Sequence, residues 1–204
     1  MVAAVILAAG LSRRLGQPKL LLPLEGRSLI RRTAEQVIAV GESQWKEVVV
    51  VLGHEEERIR QELEGLAVRT VFNPRFAAGM SASLIVGLQA VSPKAEGAMI
   101  FLGDQPLVSA EVVQSMLTAF RKRGRPIIVP VYDGARGNPV LFSRSLFSEL
   151  MTVEGDQGGR DVVMRDSGRV ETVAFASDLA PQDVDTWEDY EIVQASVRRT
   201  GDEG

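Results

Sequence analysis

The chain has 204 residues, of which 45% are hydrophobic and 25% charged, and 23 basic residues against 27 acidic ones give a net charge of −4. This composition excludes a disordered chain, and the negative balance disfavours non-specific binding to nucleic acid. Because there is no cysteine and only one histidine, His54, the sequence excludes disulfides and thiolate metal sites and nearly excludes a histidine-based triad. Any chemistry must come from carboxylates, Lys, Arg, hydroxyls and backbone amides.

The apolar N-terminal run over residues 1–11 is followed, rather than preceded, by basic residues, which is not the order found in a secretory signal peptide. No run approaches the roughly 18 apolar residues that a membrane-spanning helix needs. We therefore expect a cytoplasmic protein that does not contact a membrane.

Short β-rich runs alternate with segments of helical period along the first two thirds of the chain. Strands are predicted over Val2–Ala8, Val48–Leu52, Val68–Phe72, Ala98–Leu102 and Pro126–Val131. Helices are predicted over Ser28–Val40, Glu55–Leu66, Ser81–Val91 and Ser109–Arg123. This alternation predicts an α/β fold, a three-layer α/β/α arrangement around a mostly parallel, Rossmann-like sheet.

The last third of the chain is less regular, and no linker marks a second domain, so we expect residues 1–204 to form one domain. Its predicted elements are a strand over Val140–Phe142, a helix over Arg144–Met151, a glycine-rich loop over Gly155–Gly159, a helical turn over Asp161–Asp166, a strand over Val170–Phe175 and a helix over Thr186–Arg199. The buried side of the last helix is predicted to hold Trp187, Tyr190, Ile192 and Val193.

The strongest chemical signal is the loop that follows the first strand, because the carboxyl ends of parallel strands are where α/β sheets bind ligands. Gly10 allows a close approach of backbone amides to an anion, and Ser12 adds a hydroxyl. Three cations, Arg13, Arg14 and Lys19, lie within seven residues. The alternative is a tight turn with solvated cations. The glycine spacing excludes a Walker A loop, and the dinucleotide fingerprint Gly-x-Gly-x-x-Gly is absent.

Two later segments follow the same logic. Asp104 comes directly after the strand Ala98–Leu102, where a carboxylate is well placed to hold Mg²⁺; its alternative role is to cap the next helix. Gly79, Ser81 and Ser83 lie where a strand passes into a helix, so their amides and hydroxyls could contact a base edge. Simple capping by either serine is the alternative there.

The first loop resembles a family signature, Leu-Ala-Ala-Gly-x-Ser-x-Arg-x-Gly-x-x-Lys, and every specified position from Leu7 to Lys19 matches. That signature is typical of MobA-like NTP transferases, nucleotidyltransferases with the nucleotide-diphospho-sugar transferase fold, and above all of the molybdenum-cofactor cytidylyltransferases. The resemblance implies that the nucleotide is bound by Leu7, Ala8, Ala9, Gly10, Ser12, Arg14, Lys19, Gly79, Ser81, Ser83 and Asp104. Of these, it implies catalytic roles for Arg14, Lys19 and Asp104.

The resemblance extends to the C-terminal part of the chain. Asp183–Thr186 is similar to the family's Asp-Ile-Asp-Thr, which implies that Asp185 joins Asp104 as a ligand of Mg²⁺; an N-cap role for Asp185 remains the alternative. Gly155–Arg160 resembles Gly-Asp-x-Gly-Ala-Arg, which implies that Asp156 and Arg160 bind the acceptor. Asn138 and Pro139 are assigned to the same acceptor side, although family members more often carry a titratable His before this proline.

The implied activity is transfer of CMP from CTP to the phosphate of molybdopterin, with release of pyrophosphate. Residues of about 1–125 would bind the nucleotide and those of about 126–204 the acceptor. Another NTP as donor, and a sugar or alditol phosphate as acceptor, stay open as alternatives. A third possibility is a nucleotide-binding cofactor chaperone without turnover. The implied protein partner is a molybdoenzyme or its chaperone.

Overall fold

Buried Val, Ile and Ala side chains make up the first strand, β1 (Val2–Ala8), which lies inside an eight-stranded sheet in the computed structural model. The structure describes residues 1–12, 15–41, 44–122, 124–176, 178 and 180–201. The strands lie in the order β10-β7-β9-β6-β1-β4-β5, and β8 pairs with β7. A separate two-stranded ribbon joins β2 and β3.

The remaining strands are β2 (Pro23–Leu24), β3 (Arg27–Ser28), β4 (Trp45–Leu52), β5 (Arg69–Phe72), β6 (Gly97–Leu102), β7 (Ile127–Tyr132), β8 (Ala135–Arg136), β9 (Val140–Ser143) and β10 (Val170–Phe175). The helices are α1 (Leu29–Gly41), α2 (Glu56–Glu62), α3 (Met80–Ala90), α4 (Ala110–Arg121), α5 (Phe147–Leu150), α6 (Arg160–Arg165) and α7 (Trp187–Gly201). None of the helices in these described ranges is both long and apolar enough to cross a membrane.

Helices cover both faces of the sheet because successive strand residues point to opposite sides and both sets are apolar. One buried cluster contains Ile6 and Val50 with residues of α1, α2, α4 and α7. The other contains Val5 and Val49 with residues of α3, α5 and α6. The predicted three-layer α/β/α arrangement is therefore confirmed.

Strand β9 runs against its neighbours. β1 pairs in parallel with β4 and β6, and β7 with β10, whereas β9 is antiparallel to both β6 and β7, with Val140 opposite Ile100. Because β9 is reversed, its first residues lie beside the end of β6. The preceding Asn138–Pro139 segment, joined by a cis peptide bond, therefore lies near the edge of the sheet where β1 and β6 end.

Two details of the expected burial are wrong. In α7, Tyr190 and Val193 are buried, but Trp187 is 50% exposed and Ile192 is 48% exposed. The buried positions continue at Val197, so the buried side chains of α7 are spaced by three and four residues, and the two exposed side chains lie off this stripe.

The predicted helix over Arg144–Met151 is a 3-10 turn over Arg144–Leu146 followed by α5.

Candidate active site

A cavity of about 510 Å³ opens at the carboxyl ends of β1 and β6. Its wall comes from the first loop, the segment around the start of α3, the end of β6 and two distant acidic residues. The lining residues are Leu7, Ala9, Gly10, Leu11, Ser12, Leu15, Lys19, Leu20, Phe76, Ala77, Ala78, Gly79, Met80, Ser83, Leu102, Asp104, Asp156 and Asp185. We call this space the first cavity.

The Lys19 ammonium lies between two carboxylates in the first cavity. Its Nζ is 2.7 Å from Asp185 Oδ1 and makes a second, short ion pair with Asp104 Oδ2. The Lys19 and Asp104 side chains are 15% and 14% exposed, and Asp185 is 41% exposed. Burial alone would lower the pKa of Lys19, but the charges and hydrogen bonds of Asp104 and then Asp185 outweigh it, so the pKa is raised. Lys19 is therefore held in its charged form.

Asp104 is positioned by the tight turn that ends β6. The Gly103 N–H donates to the Leu7 carbonyl at 2.9 Å, and the buried Thr33 hydroxyl lies 2.9 Å from the Gly103 carbonyl, to which it donates. A side chain at position 103 would lie 3.0 Å from the Leu7 carbonyl oxygen, so glycine allows β1 and this turn to approach closely. The alternative capping role for Asp104 is wrong, because α4 has Ser109 at its N-cap.

Asp185 reaches the same place through a segment that pairs with the Asp104 turn. The Val184 N–H donates to the Asp104 carbonyl at 3.2 Å, and Val184 itself is fully buried. Gln105 Nε2 donates to Asp183 Oδ1 at 2.5 Å. Desolvation, the negative charge of Asp104 and, less strongly, that of Asp185 raise the pKa of Asp183. Three carboxylates thus converge near one lysine.

Thr186, rather than Asp185, occupies the N-cap of α7. The Thr186 hydroxyl accepts from the Asp189 N–H at 3.2 Å, while Asp189 Oδ2 accepts from the N–H groups of Thr186 and Asp185 at 2.8 and 3.1 Å. This reciprocal pattern is a capping box. The alternative N-cap role for Asp185 is therefore wrong, and the box instead holds its main chain while its carboxylate contacts Lys19.

The first loop is closed by its own serine. Ser12 Oγ accepts the Lys19 N–H at 3.0 Å, and Ser12 has a positive φ of 50°. The predicted residues Leu7, Ala9, Gly10, Ser12 and Lys19 line the first cavity, whereas Ala8 is buried in β1 and is not part of its wall. Arg14 lies outside the described residues. His54 is a turn residue that donates its N–H to Ala9.

The segment around the start of α3 contributes less than its motif implies. Gly79 and Ser83 line the first cavity, and Ser83 Oγ accepts from Asn73 Nδ2 at 3.0 Å. Ser81 is not in the wall: it is 1% exposed, and its hydroxyl has no partner among the described residues. Its N–H instead donates to the Gly155 carbonyl at 3.0 Å.

Gly79 allows the 155–159 loop to pack against the start of α3. Its φ is +105°, and a Cβ there would lie 2.5 Å from the Gly155 carbonyl oxygen and 2.6 Å from Asp156 Oδ1. Both distances are shorter than any ordinary contact, so only glycine fits without moving the loop. The contact places Asp156 at the border of the first cavity.

A second cavity of about 530 Å³ adjoins the first, and the two share Leu7, Met80, Leu102 and Asp156. The predicted acceptor residues Asn138, Asp156 and Arg160 line this second cavity, whereas Pro139 is buried and is not in its wall. Tyr132 donates its hydroxyl to the Asn138 carbonyl at 2.9 Å. Burial raises the pKa of that Tyr132 hydroxyl to about 12, so it remains a donor at neutral pH.

Sequence reasoning missed one cation of the second cavity. Arg136, on the short strand β8, lines it together with Arg160, and its guanidinium contacts Met164 Sδ at 3.2 Å. The remaining wall is largely apolar and includes Leu84, Ile100, Val129, Val140, Phe142 and Val163. The space thus combines an apolar sheet surface with two exposed arginines.

Residues 4–170 match the profile of the MobA-like NTP transferase domain. The chain belongs to this family. The two adjoining cavities therefore lie in a nucleotidyltransferase, and the resemblance of the first loop to the family signature is confirmed at the level of the family.

Curated relatives of this NTP transferase carry different names. Nicotine blue oxidoreductase from Paenarthrobacter nicotinovorans is 32% identical, over 92% of this chain and 93% of that protein. The probable molybdenum cofactor guanylyltransferase of Natranaerobius thermophilus is 29% identical, over 65% of this chain and 62% of that protein. The molybdenum cofactor cytidylyltransferase of Escherichia coli is 24% identical, over 70% of each.

Several solved structures share the fold of this protein over nearly its whole chain. A homologue of Rv0371c from Mycobacterium sp. strain JC1 has a TM-score of 0.84 at 35% identity, covering 98% of each chain. Rv0371c from Mycobacterium tuberculosis, solved as a manganese complex, has a TM-score of 0.81 at 30% identity, covering 96% of this chain and 98% of that one. A nucleotidyl transferase from Methanothermobacter thermautotroptrophicus has a TM-score of 0.81 at 26% identity, covering 98% and 99%.

The acidic residues of this NTP transferase have the donor chemistry for a divalent cation. Asp104 and Asp185 each place a carboxylate oxygen against the Lys19 ammonium. Hard cations such as Mg²⁺ use one or two carboxylates together with water and substrate phosphates. Within the described part of the chain, no group of three or more acidic or histidine side chains forms a complete metal site. The residues fit a cation that is held partly by the substrate.

Proposed function

We propose that this NTP transferase moves CMP from CTP to the phosphate of molybdopterin and releases pyrophosphate. The observation that carries the proposal is the Lys19–Asp104–Asp185 cluster, which stands in a cavity that shares a wall with a second, arginine-bearing cavity. Two relatives named as molybdenum cofactor cytidylyl- and guanylyltransferase support the acceptor. The donor would occupy the first cavity and the acceptor the second.

In this reaction an acceptor phosphate oxygen attacks the α-phosphorus of CTP, the bond to the bridging oxygen breaks, and pyrophosphate leaves with the electron pair. Such a displacement requires positioning and charge neutralisation more than a strong base. The amides around Gly10 would hold the triphosphate, and Ser12 would keep the loop closed around it. Lys19 would stabilise the charge that develops on the leaving pyrophosphate, and we assign Arg14 the same task from its place in the signature.

Asp104 and Asp185 would hold Mg²⁺, which supplies Lewis-acid neutralisation of the donor phosphates when bound. Gln105 and Thr33 support this pair without entering the chemistry, since one fixes the 183–185 segment and the other fixes the Asp104 turn. The capping box of α7 orients Asp185 in the same way.

The choice of CTP rests on the residues that border the proposed base position. Ala9 lines the wall where a glycine would leave more room, and Gly79, Met80 and Ser83 border the same part of the first cavity. Ser83 has a hydroxyl already oriented by Asn73, which suits recognition of a pyrimidine edge. Ser81 is not assigned a base contact, because its side chain is outside the wall.

The second cavity favours an acceptor with a flat body and an anionic group. Apolar residues of β6, β7 and β9 form its floor, which suits a heterocyclic ring better than a polyhydroxylated chain. Arg136 and Arg160 offer guanidinium groups that suit a phosphate. This combination supports molybdopterin over a sugar or alditol phosphate.

Pyrophosphate release tests the proposal when it is measured with each of the four NTPs against molybdopterin, an alditol phosphate and a sugar phosphate. We expect release with CTP and molybdopterin. Release with a sugar phosphate instead would replace the acceptor, and nucleotide binding without release would favour a cofactor chaperone. Because one full-length relative is named an oxidoreductase, NADH and NADPH oxidation is followed in parallel, and we expect none.

A further inference from the structure

The Lys19 ammonium occupies the position between Asp104 and Asp185 that a cation shared by both carboxylates would take. Both ion pairs are made by the same Nζ atom, and two of the three side chains are largely shielded from water. Two carboxylates this close to one point repel each other unless a positive charge lies between them. Lys19 therefore acts as a counter-ion to both carboxylates in this structure.

We propose that Lys19 competes with the divalent cation for this carboxylate pair and that, once displaced, its ammonium moves to the triphosphate. This exchange rests on the proposed function only in naming the cation and the triphosphate. It assigns Lys19 a second role, control of cation affinity, in addition to stabilising charge in the reaction.

The construction of the loop permits such an exchange. The Lys19 backbone is tied by its N–H to Ser12 Oγ, so the main chain stays in place while the flexible four-carbon side chain can turn. Gly10 and Ser12 line the same cavity as the Lys19 side chain. An ammonium that leaves the carboxylates thus has a phosphate-binding loop beside it.

The exchange predicts a thermodynamic coupling between cation and nucleotide. Cation binding to the protein alone must break two ion pairs of Lys19, which weakens it. A bound triphosphate gives the displaced ammonium a new partner. Bound nucleotide should therefore strengthen cation binding, and a bound cation should strengthen nucleotide binding by the same factor. This coupling should depend on the Lys19 charge.

Mn²⁺ titrations followed by electron paramagnetic resonance test the exchange without turnover. The proteins are wild type, Lys19→Met, Lys19→Gln, Asp104→Asn and, as a matched control, Lys94→Met, whose lysine is exposed and lines neither cavity. Each is titrated alone and with a CTP analogue that has a non-cleavable α,β-methylene bridge. Circular dichroism identifies any variant that has not folded, and the two neutral Lys19 variants substitute for each other.

We expect the neutral Lys19 variants to bind Mn²⁺ alone at least about tenfold more tightly than wild type, or about 1.4 kcal/mol. They should also lose most of the enhancement that the analogue produces, while Lys94→Met behaves as wild type and Asp104→Asn loses the site. Unchanged or weaker Mn²⁺ binding by the folded Lys19 variants would overturn the exchange, and so would an Asp104→Asn protein that binds Mn²⁺ as wild type does. Tighter binding by the neutral variants in a protein that releases no pyrophosphate would support the exchange and contradict only the proposed function.

Discussion

The main-chain N–H of Val184 donates a 3.2 Å hydrogen bond to the carbonyl of Asp104. Through this bond, the segment that leads into the last helix lies against the turn at the end of β6. Asp185 therefore contacts the same Lys19 ammonium as Asp104. The docking of α7, through the buried Tyr190 and Val193 and a hydrogen bond from the Tyr190 hydroxyl to the Pro23 carbonyl, therefore helps to assemble the site.

Lys19→Ala should lower turnover at least about a hundredfold, because one preorganised transition-state charge typically contributes about 2.7–4 kcal/mol. The fold should remain, since the backbone contact of Lys19 with Ser12 does not need its side chain. Pyrophosphate release and thermal unfolding are measured together, with Lys94→Ala as the exposed control. Unchanged turnover would mean that the ion pairs of Lys19 are only structural.

Asp104→Asn should weaken activation by Mg²⁺ far more than it weakens NTP binding measured without metal. The less buried Asp185→Asn is expected to show the same effect to a smaller degree, because water screens it more strongly. Activity titrated with Mg²⁺ gives the activation constants, and the exposed Asp178→Asn serves as control. If both substitutions leave these titrations as they are in wild type, the pair does not hold the metal.

CTP should be preferred over GTP by at least about tenfold in kcat/KM, which is about 1.4 kcal/mol. Ser83→Ala should reduce this preference, because Ser83 lines the cavity and is oriented by Asn73. Ser81→Ala is the matched control, since its hydroxyl is buried outside the wall. A wild-type enzyme that uses GTP as readily as CTP contradicts the assignment of the base.

Arg136→Ala should raise the KM for the acceptor about tenfold or more and leave the KM for CTP nearly unchanged. The reason is that Arg136 lines the second cavity and does not line the first. Steady-state kinetics with each substrate varied in turn separates the two effects, and Arg58→Ala, on the exposed side of α2, is the comparison. An equal rise in both KM values would show that Arg136 does not discriminate between donor and acceptor.

Thr186→Ala should destabilise the fold by about 1 kcal/mol, the usual value of a side-chain N-cap. Ser109→Ala is the matched control, because Ser109 holds the same position in α4 without a side-chain cap hydrogen bond.

The stabilising effect of Asp189 should depend on pH. Hydrogen bonds from Thr186 lower the pKa of Asp189, so its charged form contributes fully to the free energy of unfolding above the usual carboxyl range, and this contribution is lost as the pH falls through the lowered pKa. Urea unfolding of wild type and Asp189→Asn should therefore differ most at neutral pH and converge in acid. A stability gap that does not narrow in acid would contradict this role.

The sequence was sufficient for features with a strong local pattern. The bounds predicted for β1 and β10 are those observed. β1 is a continuous apolar run, and β10 is rich in β-branched and aromatic residues, which favour strands. The Asp104 turn and the first loop were located by the same reasoning, since they follow buried strands of a parallel sheet.

Features that depend on the tertiary structure could not be predicted. The reversal of β9 leaves no trace in four residues, and Arg136 stands on a two-residue strand without an apolar pattern. Ser81 was expected in the wall because its motif lists it beside Ser83, but the packing of the 155–159 loop on α3 places it in the interior. Asp185 is the alternative N-cap for a helix predicted to begin at Thr186, but α7 begins one residue later, at Trp187, and a one-residue difference in a helix start is beyond what the pattern defines.

The reversed strand β9 lies between β6 and β7, and so between the part of the sheet that borders the first cavity and the part that borders only the second. The residues that we assign to the donor lie at the ends of β1 and β6 and around the start of α3, whereas β7 and β9 join β6 in forming the floor of the second cavity. Substitutions on β9 or α6 can therefore reshape what the second cavity accepts and leave the lysine–carboxylate cluster intact. A scaffold arranged in this way can acquire new acceptors through substitutions on one side only, while the side that we assign to the donor stays unchanged.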